Sequence, residues 1–121
     1  MSVSDEFLNL ATAEINNEIS EIQFILNSCR NSLDVSVNAI KIQKSTHKIK
    51  GLAPMMGKSE LGSFSAVLDS ILKKIVDGAL LDDLFDLLSS AVIEMRNSMS
   101  YTNYNLDKTK QHLLQISNTL S

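Results

Sequence analysis

Apolar residues recur at intervals of three and four along nearly the whole chain, and only one proline and four glycines interrupt its 121 residues. A stripe with that period buries one side of an α-helix, whereas a half-buried strand needs strict alternation. β-Branched clusters are few, so nothing in the pattern competes for strands. The expectation is an all-α fold, with residues 1–121 forming one domain. A chain of this length buries roughly two thirds of its unfolded surface and needs neither disulfide nor metal to fold. Cys29 is the sole cysteine, which rules out an intrachain disulfide and a structural cysteine–zinc site and fits a reducing compartment.

Five helical segments follow from the stripes. The first spans about Ser4 to Cys29, with Phe7, Leu8, Ala11, Ile15, Ile22, Ile25, Leu26 and Cys29 on one side. Ser4 is its expected N-cap, and Asp5 and Glu6 complement the positive helix start. After a turn at Arg30-Asn31-Ser32, Asp34 is expected to cap a second helix of about Val35 to Met56. Its core residues are Ala39, Ile42, Ile49, Leu52 or Ala53, and Met56, and Gly57 stops it as a C′ glycine. A third helix runs from Ser59 to the Asp77-Gly78 stop on Leu61, Phe64, Leu68, Ile71, Leu72 and Ile75. The fourth, about Leu81 to Met99, carries Leu84, Phe85, Leu88, Val92, Met95 and Met99. A break at Asn103–Asn105 precedes the last, about Leu106 to Leu120, on Leu106, Leu113, Ile116 and Leu120. Short connections make consecutive helices antiparallel, so the expected architecture is an up-down four-helix bundle with an additional C-terminal helix. Pro54 falls inside the second helix, where it costs about 3 kcal/mol unless the helix kinks or ends; a kink is expected between Lys50 and Pro54.

The second helix also carries the chain's most chemical motif, His47-Lys48-Ile49-Lys50-Gly51, with Gly57 six residues further on. Residues three and four apart are neighbours on a helix, so Lys50 and Gly51 both lie beside His47. His47, Gln43, Lys50 and Gly51 sit well over a quarter turn from the apolar stripe and should point outward. A nucleophilic ring nitrogen, a cation and a side-chain-free spot suit a histidine that carries a phosphoryl group. From Val35 through Ser59 there is no acidic residue, while Lys41, Lys44, Lys48, Lys50 and Lys58 fall there. Such a local positive field favours a phosphorylated ring and an acidic partner surface. A neutral imidazole offers one nitrogen as nucleophile while the other keeps its proton, so a carboxylate that accepts the N–H would fix the tautomer. Asp69 is the candidate. It lies off the apolar stripe of the third helix, twelve residues after Gly57, while His47 lies ten before it. An antiparallel hairpin about Gly57 brings the two together.

These residues resemble the histidine-containing phosphotransfer (HPt) family. The H-x-x-K-G core, the stretch Lys50-Gly51-Leu52-Ala53-Pro54-Met55-Met56-Gly57, then Leu61, Phe64 and Leu68-Asp69, look most like the phosphotransfer domain that opens the chemotaxis histidine kinase CheA. Asp5-Glu6-Phe7, the long first helix and the fifth helix are similar too, so the resemblance spans the chain. It implies that His47 accepts phosphate on Nε2, that Lys50 supports the phosphoryl group, and that Asp69 hydrogen-bonds the other ring nitrogen. Gly51, Lys48 and Gln43 are then the expected docking residues for phosphate or partner. Asp69 stands where the family usually has glutamate, and Ala66 stands where CheA often has a second histidine.

The resemblance further implies two partners, a histidine kinase catalytic domain and a response-regulator receiver domain, in a two-component, chemotaxis-like pathway. ATP and Mg²⁺ belong to those partner domains; no cofactor or metal is expected on this chain. It lacks glycine-rich nucleotide loops and metal-ligand spacings. The domain is thus read as a phosphoacceptor and not a catalyst, although a CheA-type parent would be an enzyme. The absence of a charged tail at Asn118-Thr119-Leu120-Ser121 is compatible with an excised domain. A net charge of −3 argues against nucleic acid, and no apolar run spans a membrane. Met1-Ser2-Val3-Ser4-Asp5-Glu6 has no signal-peptide character, so a cytoplasmic monomer is expected. His112 has no supporting motif and reads as surface. The alternative from another class is a non-catalytic helical adaptor that binds partner helices, which a large exposed apolar groove and a buried His47 would favour.

Overall fold

The computed structural model describes residues 3–120. Among them are six α-helices and no strand: α1 (Val3–Asn27), α2 (Ser32–Val37), α3 (Ala39–Met55), α4 (Ser59–Val76), α5 (Leu84–Ser100) and α6 (Asp107–Thr119). The chain is all-α, as its periodicity requires. None of these helices is long and apolar enough to cross a membrane.

The expected second helix is two. Asn38 interrupts it, because its side-chain amide donates to the Asp34 carbonyl at 2.9 Å and approaches Cys29 Sγ at 3.9 Å. A short amide that bonds the preceding turn competes with the helical ladder. The apolar pattern runs through the break, with Val35, Ala39 and Ile42 all buried, and so gives no sign of it. The cap moves as well. Asn31, not Asp34, caps α2 by accepting from the Asp34 N–H at 2.9 Å, while Asp34 Oδ2 accepts from the Arg30 N–H at 2.8 Å. Ser4 lies inside α1, so it is not that helix's cap.

Pro54 lies within the last turn of α3. The helix continues through it and stops one residue later, so the lost hydrogen bond falls in the last turn. Gly57, at φ +83°, then closes the end: its N–H donates to the Pro54 carbonyl at 3.1 Å and that of Lys58 to the Ala53 carbonyl at 2.8 Å. Gly78, at φ +111°, repeats the device after α4. Both glycines take the left-handed conformation that side chains disfavour.

α3 pairs most extensively with α4, α1 lies against α3 and α5, and α6 lies on α4. One core runs through all of them, from Ile15, Ile19 and Ile22 of α1 through Ile42 and Ile49 of α3 and Phe64 and Leu68 of α4 to Leu88 and Leu113. Ile19 joins it although the stripe omitted it, and Leu8, assigned to the stripe, is exposed. α6 is held at its end by Lys74, whose ammonium donates to the Ser117 carbonyl at 2.6 Å and to Ser117 Oγ at 3.3 Å. At its start Glu94 of α5 accepts from the Tyr104 hydroxyl and from Thr109 Oγ1.

The α3–α4 pair is an antiparallel hairpin, with Pro54 against Gly62 near the turn and Gln43 against Asp69 further along. Gly62 is buried because the Pro54 ring occupies its side-chain space; a Cβ there would stand 2.6 Å from Pro54 Cγ. This close approach pins the register that sets His47 over Asp69.

Candidate functional site

α3 and α4 bring His47, Lys50 and Asp69 together. The His47 side chain is 63% exposed, whereas that of Asp69 is 1% exposed. Asp69 was expected off the apolar stripe; it is in fact sealed beneath the two helices, next to core Leu68. Sealing a carboxylate is costly unless its oxygens are satisfied. Here they are. Oδ1 accepts from Gln43 Nε2 at 2.8 Å and lies 3.5 Å from Thr46 Oγ1, which also donates to the Gln43 carbonyl at 3.0 Å. Oδ2 faces three basic groups: Lys73 Nζ at 3.5 Å, Lys50 Nζ at 3.7 Å and His47 Nδ1 at 3.8 Å.

Burial pushes the Asp69 carboxyl upward, but the Gln43 hydrogen bond and the Lys73 and Lys50 ammoniums outweigh it. The net position is below the usual carboxylate range. A buried anion is therefore fixed beside the Nδ1 edge of the ring. At 3.8 Å the contact is an ion-pair distance, longer than a direct hydrogen bond. With Nδ1 turned to Asp69, Nε2 occupies the opposite edge of an exposed ring.

The other expected site residues divide. Gly51 is exposed, and a Cβ built on it would meet nothing within 4 Å, so no internal packing demands glycine there. Gln43, half-buried, donates from its amide to Asp69 and so belongs to the cluster itself. Lys48 turns toward α1, where it pairs with Glu18 at 3.3 Å, and does not join the Asp69 cluster. His112 is exposed on α6 and absent from the cluster.

Two members went unassigned in the sequence. Lys73 is four residues after Asp69 on one helix, the spacing at which opposite charges meet. Thr46 completes the buried series Ala39, Ile42, Thr46, Ile49, Ala53, whose spacing of three and four marks it as an inward position despite its hydroxyl. Comparison with protein-family models, curated proteins and solved structures gives no match.

Proposed function

We propose that the chain is a histidine phosphotransfer module in which His47 accepts a phosphoryl group and hands it on. The observation that carries this is the pairing of an exposed imidazole with a buried, ionised carboxylate at its Nδ1 edge and the Lys50 ammonium on the same oxygen. A buried His47 would favour the adaptor alternative, and the ring is exposed.

The chemistry is positioning. Asp69 favours the proton on Nδ1, which leaves the Nε2 lone pair free. That lone pair forms the N–P bond while the donor's bond to phosphorus breaks and its electron pair leaves with the donor. The ring gains positive character, which Asp69 offsets. Lys50 offsets the charge on the phosphoryl oxygens. Gly51, one turn beyond His47, leaves room for a protein partner to approach.

In this reading α1, α3, α4 and α5 form an antiparallel up-down four-helix bundle with α6 alongside, a rigid cytoplasmic monomer resembling the CheA phosphotransfer domain. A kinase domain supplies the phosphoryl group from ATP, and a receiver-domain aspartate with Mg²⁺ removes it. The test is incubation with a CheA-type kinase core and radiolabelled ATP. Acid-labile, base-stable label on the wild type and none on a folded His47→Gln variant is expected. Equal labelling of the variant overturns the assignment.

A further inference from the structure

We infer that Lys73 is a second positioning cation for the phosphoryl group, supplied by α4 opposite the Lys50 of α3; this rests on the phosphoacceptor reading of His47. Of the three basic groups facing Asp69 Oδ2, the Lys73 ammonium is the nearest, at 3.5 Å. An ordinary lysine–carboxylate pair four residues apart on a helix joins two solvated groups and contributes little. This pair differs because its acceptor is 1% exposed, so the ammonium is drawn to the mouth of the cluster, where the ring stands. The lysine's own side chain stays 57% exposed, leaving its four-carbon stem free to swing.

The charge balance points the same way. Two ammoniums share one carboxylate, and among the described residues neither Lys50 nor Lys73 has another ion-pair partner. The cluster thus carries an excess positive charge while the ring is neutral. A dianionic phosphoryl group on Nε2 would draw on both cations, one from each helix, with Asp69 holding them in place beforehand. Such preorganised charge acts on the transferring group without having to be gathered at the moment of reaction.

The test uses the full chain and potassium phosphoramidate, a small donor that requires no kinase. His47 Nε2 attacks phosphorus, the P–N bond of the donor breaks, and ammonia leaves. His112, exposed on α6 and outside the cluster, is the internal reference. In the wild type His47 should be labelled faster than His112. Lys73→Met should slow His47 about fourfold, the effect of one unit charge about 5 Å away in water, and leave His112 unchanged. Lys73→Arg should restore the rate, and the Met variant should lose part of the salt dependence at His47. Rapid labelling of His47 in wild type and Lys73→Met alike overturns the role of Lys73 alone. A wild-type His47 no faster than His112 removes the phosphoacceptor reading, and this inference with it.

Discussion

Replacing Gly51 with alanine should raise stability and impair transfer in the same molecule. Glycine inside a helix costs about 1 kcal/mol relative to alanine, chiefly through the entropy it loses on folding. A Cβ at Gly51 meets nothing within 4 Å, so no clash subtracts from the gain. The residue lies four positions before the end of α3, where the helix constrains the backbone less, so the gain should be about 0.5–1 kcal/mol. For a chain of this length that is a rise of about 2–4 °C in melting temperature. The new methyl would stand in solvent one turn from His47, on the surface a partner protein must reach. Labelling by a kinase core should therefore slow, whereas labelling by phosphoramidate should not. Calorimetry and the two labelling assays decide it. A lower melting temperature refutes the packing argument, and unchanged labelling by the kinase core refutes the docking role of Gly51.

Gly62→Ala should do the reverse, destabilising by about 1–3 kcal/mol, because its Cβ would fall 2.6 Å from Pro54 Cγ and 2.9 Å from Cδ. Urea unfolding should show this penalty shrinking in a Pro54→Ala background; an equal penalty in both backgrounds refutes the contact. Asp69 adds a pH dependence. Its carboxyl sits below the usual range in the folded chain, so its stabilisation is complete above about pH 4 and is lost as pH falls through the lowered folded value. The urea midpoints of wild type and Asp69→Asn should therefore converge as the pH drops from 7 toward 3, and a gap that stays constant contradicts this.

Helix positions were legible because burial is written in spacing: all six α4 stripe residues, Leu61 to Ile75, are in the core. Both glycine stops were legible for the same local reason, since a left-handed residue ends a helix whatever surrounds it. The division at Asn38 was not, because a side-chain amide reaching back to Asp34 leaves the apolar pattern intact. The outward His47 and its approach to Asp69 followed from helical phase and hairpin distance. The depth of Asp69 did not. A carboxylate beside a core leucine reads as surface until a second helix supplies Gln43, Thr46 and Lys50 to satisfy it. The pairing of Lys48 was not legible either, because its partner, Glu18, lies thirty residues away on another helix.

The most direct measurement is to label the intact chain with a CheA-type kinase core and ATP, then locate the phosphoryl group by tandem mass spectrometry and phosphorus–nitrogen NMR. The account predicts a single phosphohistidine, at His47 and on Nε2, with His112 unmodified. Phosphate on Nδ1 of His47, on both histidines equally, or on neither would contradict it.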